Sequence, residues 1–135
     1  MFEVFDYSSR RGAIVPLLAD IYKIICETKI KNPENIIFFK QRMSKLLIDI
    51  NYRWIILNEK KSLAGFLFYR YENETIHITD LHISKTVNSP KEAITLILKK
   101  MEYDQGTKTA SFYENEFLLG DFKSMSDTLT LRYSK

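Results

Sequence analysis

Cysteine is almost missing from this chain of 135 residues: Cys26 is alone and can form no internal disulfide, which suits a reducing, intracellular setting. Histidine is scarce too. His77 and His82 are the only two, and without a third ligand at zinc spacing no metal site is expected. Long apolar runs are lacking, because Pro16, Asp20, Lys23 and Glu27 break the stretch from Ile14 to Ile30 before it reaches membrane-spanning length. The first residues show no basic segment followed by an apolar one, so no signal peptide is read and a cytoplasmic location is expected. Walker loop, dinucleotide fingerprint and Ser-His-Asp arrangement are absent, as are internal repeats and low-complexity segments. Charge of one sign is in small excess. A net +3 would help draw a polyanionic cofactor, yet it is also an ordinary solubility charge. Basic residues interleaved with aromatics are faintly traced by Phe66, Phe68, Arg70 and an exposed Tyr69. With so small a basic excess, nucleic acid is not an expected partner, and neither is a membrane.

What remains is ordinary globular material, 45% hydrophobic and 27% charged. The length is one domain's worth, so a single domain over residues 1–135 is expected. Met1–Tyr7 reads as a short strand. Ile14, Leu17, Leu18, Ile21, Ile24 and Ile25 recur at helical spacing, with Pro16 tolerated only in the first turn. Asn32-Pro33 is an N-cap with Pro at the first helical position, which begins a second helix. That helix should turn Ile36, Phe39, Met43, Leu46, Leu47 and Ile50 inward, leaving Phe38 and Tyr52 for packing or a pocket. Arg53–Asn58 and Leu63–Tyr71 are strands joined by a turn at Glu59-Lys60-Lys61. Glu72-Asn73 is a plausible two-residue hairpin turn. Ser89-Pro90-Lys91-Glu92 is a capping box with Pro at N1, opening a helix that buries Ile94, Ile97, Leu98 and Met101. It should end near Asp104-Gln105-Gly106. A strand over Thr107–Tyr113 and a closing hairpin of Phe117–Phe122 with Thr128–Tyr133 complete the chain. Strands in runs beside helices argue for an α+β layered domain with a mixed, mostly antiparallel sheet flanked by helices.

One irregularity stands out within Thr75–Ser84. Apolar residues fall first on even positions (Ile76, Ile78) and then on odd ones (Leu81, Ile83). A strand has period two, so the change of phase predicts an extra residue near Thr79–Asp80, a β-bulge. The alternative is a plain strand end at Asp80 followed by a loop. With the bulge, the sheet should open between Ile83 and Phe112 on the way to the next strand.

Leu63-Ala64-Gly65-Phe66, then Ile78-Thr79-Asp80-Leu81-His82-Ile83, then a helix opening near Ser89, follow one another in a spacing that resembles the core of the GNAT superfamily, the acetyl-CoA-dependent N-acetyltransferases. The resemblance runs without a gap from Gly65 to Ala93. It implies the GNAT fold, with one crossover from the bulged strand to a parallel neighbour, and direct attack of an amine on the acetyl thioester. It also implies acetyl-CoA as cofactor, its pantetheine arm lying along the bulged strand against the amides of Leu81, His82 and Ile83, one of which steadies the thioester oxygen.

For the pyrophosphate, the family motif is Arg or Gln, two residues, Gly, one residue, then Gly or Ala. At that spacing stand Asn88, Lys91 and Ala93, so Asn88 and Lys91 depart from it. The resemblance assigns the anion to the helix N-terminus aided by Ser89, Lys91 and Lys85; an ordinary capped helix without a ligand is the alternative. Where the family commonly carries Glu as base, this chain has Thr79, which leaves Asp80 as the candidate, with bonding of loose bulge amides as its other role. Acting as base would require lifting an Asp above its usual value of about 3.9. Tyr113 is the candidate acid, with aromatic packing as its alternative; His77 and His82 are further candidates for the base. The expected acceptor is a small-molecule or peptide primary amine, and a homodimer is left open. A non-catalytic GNAT-fold binding or interaction domain that has lost coenzyme binding is the competing reading.

Overall fold

The computed structural model describes residues 1–28, 35–72, 75–105, 109–112 and 115–118. Its strands are β1 (Phe2–Asp6), β2 (Tyr52–Glu59), β3 (Ser62–Glu72), β4 (Thr75–Ile83), β5 (Thr109–Phe112) and β6 (Asn115–Leu118). A 3-10 helix, Arg11–Leu17, runs into α1 (Leu18–Thr28); α2 (Ile36–Leu47) follows, and α3 (Pro90–Gln105) joins β4 to β5. The strands lie side by side in chain order. All neighbours are antiparallel except β4 and β5, which are parallel, as a helical crossover requires.

β2 and β3 are apolar on both faces because both faces are covered. Ile55, Leu57, Leu67, Tyr69, Ile76, Ile78, Leu81 and Ile83 meet Ala93, Ile94, Ile97, Leu98 and Met101 of α3 on one side. Tyr52, Trp54, Ile56, Phe66 and Phe68 meet Ile14, Ile21, Ile24, Ile25, Phe39 and Met43 on the other. Tyr69 is therefore a core residue, fully buried like Phe66 and Phe68, and not the exposed ring expected beside Arg70.

The bulge lies where the phase changes. Phe68 pairs with Asp80 and Tyr69 with Ile78, so Thr79 is the extra residue on β4. Beyond it Leu81 and Ile83 return to the α3 face. A second irregularity, unmarked in the apolar pattern, falls where Leu57 pairs with Gly65 and Asn58 with Leu63, leaving Ala64 extra. The β2–β3 loop is Lys60-Lys61, both at positive φ (52° and 67°), the backbone that matches the twist of a two-residue hairpin. β5 accompanies β4 only from Thr75 to Ile78, ending at the Ile78–Phe112 pair. Among the described residues β4 continues beyond Ile78 to Ile83 without a pair on that side, and the chain directly after Phe112, where the opening was expected, lies outside them.

Several boundaries differ from the expectations. Pro16 sits in the 3-10 helix, and the α-helix proper starts at Leu18. The N-cap of α2 is Asn35, not Asn32: its side chain accepts from the Ile37 N–H at 2.8 Å, and Asn32-Pro33 lies outside the described residues. α2 ends at Leu47, so Ile50 is not on its inward face and is 77% exposed. The chain there is held instead by Arg11, whose guanidinium donates to the carbonyls of Asp49, Ile50 and Tyr52. Glu72 pairs with Thr75, which moves the β3–β4 turn to positions outside the described residues. β6 starts at Asn115 and pairs with β5, two residues earlier than expected; the rest of the anticipated closing hairpin lies outside the described residues.

Candidate functional site

Two strand devices meet at the bulge. Ser84 donates its N–H to Ala64 at 2.8 Å. Alternation along β4 therefore aims the His82 amide at β3 and the amides of Leu81 and Ile83 away from it, toward the side where β5 has ended. The side chains of Leu81 and Ile83 are buried under α3, so only their backbone reaches that edge. Gly65 sits opposite Ile83. A Cβ there would stand 2.9 Å from the His82 carbonyl oxygen and 2.7 Å from Ile83 Cδ1, so the close approach of β3 to β4 needs a bare backbone.

On the other face the bulge presents Asp80, 7% exposed. Three polar groups converge on one of its oxygens, Oδ2: Arg42 Nη1, which donates at 3.3 Å, and the hydroxyls of Tyr52 at 3.3 Å and Thr79 at 3.1 Å, which have one proton each to give. Among the described residues none donates to Oδ1. Tyr52 and Thr79 are also bonded to each other, and Thr79 Oγ1 reaches the Phe68 carbonyl at 3.2 Å. The extra residue thus ties its own loop. Tyr52 comes from the start of β2 and Arg42 from the middle of α2, so the cluster joins α2 to the sheet. Burial, and then the charge of Asp80, hold the Tyr52 phenol neutral well above its ordinary range.

Below the cluster lies a row of rings. Tyr52 meets Trp54 edge-on at 4.9 Å, Trp54 meets Phe68 at 4.6 Å, and Phe66 stacks on Phe68 at 4.7 Å. His82 packs on Phe66 at 5.3 Å and is 8% exposed, whereas His77 is exposed on the strand before the bulge.

Past β4, Ser84 Oγ pairs with Thr86 Oγ1 at 2.9 Å and Val87 N–H returns to the Ser84 carbonyl, a compact turn that buries Val87. Lys85, Asn88, Ser89 and Lys91 stand exposed around the start of α3. Ala93 does not join them. Its side chain is fully buried and its N–H bonds the Ser89 carbonyl at 3.1 Å, so it offers nothing to a ligand.

No family model matches the chain, and no curated protein matches its sequence. Solved structures do. The PaiA N-acetyltransferase of Thermoplasma acidophilum, in complex with coenzyme A, superposes with a TM-score of 0.61 at 14% identity, over 84% of this chain and 79% of that one. The ribosomal-protein-S18-alanine N-acetyltransferase of Escherichia coli gives 0.63 at 10% identity, over 97% and 76%. The aminoglycoside 6'-N-acetyltransferase of Enterococcus faecium gives 0.61 at 11% identity, over 83% and 60%. The chain has the GNAT fold.

Within this GNAT fold, Asp80 and the edge of Leu81–Ile83 occupy opposite sides of one bulge, while the exposed loop from Lys85 to Lys91 leads off the same strand. Tyr113 lies outside the described residues. Arg42 was missed by the sequence reading; the one signal for it is a charged residue between Phe39 and Met43 on the inward side of an amphipathic helix. Tyr52 showed itself only as an aromatic left over from the helix pattern. Trp54 is fully buried and its Nε1 has no partner among the described residues, which no sequence pattern announces.

Proposed function

We propose that this chain transfers an acetyl group from acetyl-CoA to a primary amine. The observation that carries the reading is the bulge at Thr79 beside a strand edge along which, among the described residues, β5 pairs only as far as Ile78. An extended pantetheine arm fits such an edge as an added strand would, against the amide of Ile83. Asn88, Ser89 and Lys91, with Lys85, supply the polar and cationic surface for its phosphates at the start of α3. Bound there, acetyl-CoA supplies the acetyl thioester.

The chain's own residues then have three tasks. The edge amide of Ile83 is the donor for the carbonyl oxygen as negative charge gathers on it. Asp80, held through Oδ2 by Tyr52, Thr79 and Arg42, accepts the proton shed by the amine at Oδ1, directly or through one water. The carbon–nitrogen bond forms, the carbon–sulfur bond breaks, and Tyr113 is assigned the proton delivered to the departing sulfur.

Calorimetric titration with acetyl-CoA tests the reading, followed by detection of free thiol in the presence of a mixture of amines. Saturable one-to-one binding and amine-dependent thiol release are expected. Absence of any heat would favour the non-catalytic fold in which Lys91 and Asn88 have ended coenzyme binding.

A further inference from the structure

Ile36 and Ile50, two side chains that periodicity places in the core, stand in solvent. They have company. Of the seven large apolar side chains exposed among the described residues, five are Ile36, Ile37, Phe38, Ile48 and Ile50, all on α2 or the turn that leaves it. Phe38 is 65% exposed and Ile48 81%. The exposure is not that of a loose end. Arg11 donates to the carbonyls of Asp49 and Ile50, and the amides of Asp49 and Tyr52 return to the carbonyls of Leu46 and Asp49, so the turn is bonded in place with its isoleucines outward.

Ile37 and Ile48 are eleven positions apart, three helical turns, and so lie on one side of α2 about 16 Å from each other. The buried pair, Phe39 and Met43, faces the opposite way. Between Ile37 and Ile48 the outward side carries Gln41 and Ser44, and Lys40 and Lys45 run along its two borders, all four exposed. Neither lysine has an ion-pair partner among the described residues. The helix has no acidic residue of its own, and Glu34 before it lies outside the described residues. Carboxylates on the surrounding elements are engaged elsewhere. Asp80 faces Arg42, Glu27 reaches Ser84, and Asp49 bonds the Asn51 amide and lies 3.7 Å from Arg70, which also holds Glu72 at 3.3 Å. Asp20 of α1 has Lys23 one turn along.

An outward side that is apolar at both ends and bordered by two uncommitted cations complements an anionic surface. A second copy of the chain would set Lys40 and Lys45 against the same lysines, with no carboxylate on the helix to receive them. A folded acidic partner would have to match a polar gap at Gln41 and Ser44 between two apolar ends. A bilayer interface moulds itself around separate side chains. The isoleucines and Phe38 sink below the headgroups, while the lysine stems lie along the apolar side and lift their ammonium groups to the phosphates. Among the described residues no helix is long and apolar enough to cross a membrane, so the contact is lateral.

We infer that the outward side of α2, with Ile48 and Ile50 at its end, docks on the anionic headgroup region of a lipid bilayer. Overall charge and the shortness of the apolar runs argue against a membrane at the level of the sequence; only the fold shows which side of α2 is left outside. The contact needs no coenzyme and stands apart from the transfer reading.

The test is co-sedimentation of the full chain with vesicles of equal parts phosphatidylcholine and phosphatidylserine, beside vesicles of phosphatidylcholine alone. At low salt the chain should partition onto the mixed vesicles about ten-fold or more better, and high salt should remove the difference. Phe38→Ser and Ile48→Ser should each weaken binding about three-fold or more. Lys40→Gln combined with Lys45→Gln should bring it down to the level seen on phosphatidylcholine. All four side chains are exposed, so the variants should keep the melting temperature of the unaltered chain, and the comparison of the two vesicles stands even where one does not. No sedimentation with the mixed vesicles, equal binding to both kinds, or full binding after Phe38→Ser and Ile48→Ser would each overturn the inference. So would a dimer in light scattering that is lost on Ile48→Ser, which would give this side of α2 to a second copy.

Discussion

Gly65, Tyr52 and Asp80 each do something at the bulge that their neighbours cannot. Gly65→Ala would press a methyl group against the His82 carbonyl oxygen, a backbone atom that cannot swing aside. A loss of about 1–3 kcal/mol in urea unfolding is expected, with acetyl-CoA binding reduced because β4 shifts. Tyr52 is kept neutral by the fold where the unfolded chain ionises it. Its share of stability is therefore complete below about pH 10, the ordinary phenol value, and drains away as pH climbs past that toward the higher folded value. Comparing urea midpoints at pH 9 and 11, the unaltered chain should lose more than Tyr52→Phe, by up to about 1.4 kcal/mol per pH unit. Equal losses would show that Tyr52 ionises freely in the fold. Asp80→Asn removes both the proton acceptor and the charge that faces Arg42. Turnover should disappear and stability should fall by about 1–3 kcal/mol; full turnover in this variant would take Asp80 out of the mechanism.

At the scale of the element, β4 is a strand that changes phase without changing its faces. Ile76 and Ile78 before the bulge and Leu81 and Ile83 after it all meet α3, because Thr79 absorbs the extra position. Deleting Thr79 alone would restore strict alternation with every apolar residue still on the α3 side. The deletion variant should fold, with an unchanged circular-dichroism spectrum and a modest drop in melting temperature. Acetyl-CoA should bind about ten-fold or more weakly to it, since the strand edge is no longer re-aimed. Unchanged binding would mean that the bulge is only a packing device.

For the whole molecule, the net charge of +3 is too small to pull an anion from a distance, so coenzyme attraction must come from local groups. Lys91, exposed in the first turn of α3, is the nearest such group in the proposed loop. Lys91→Gln should weaken acetyl-CoA binding about two- to five-fold at low salt, the worth of one exposed charge at a helix start. The difference should close as ionic strength rises and screening shortens its reach. A tighter complex in this variant would show instead that the lysine side chain obstructs the loop.

Local periodicity by itself determined much of this protein. The apolar spacing of Ile14–Ile25 and Ile94–Met101, the apolar strands read at Arg53–Asn58 and Leu63–Tyr71, and the phase change at Thr79 are all consequences of which residues can face a core. Those signals are carried by neighbours in sequence, so they are legible there. Asn35 displaced Asn32 as a cap because a side-chain bond to Ile37 selects among candidates that composition leaves equal. What only the tertiary structure decided is the company kept by Asp80. Arg42, Tyr52 and Thr79 are separated by up to 37 positions in the chain and meet only because α2 crosses the face on which the bulge opens. A hydrogen bond over that distance has no period and leaves no trace in composition, so the site's charge balance had to wait for the fold.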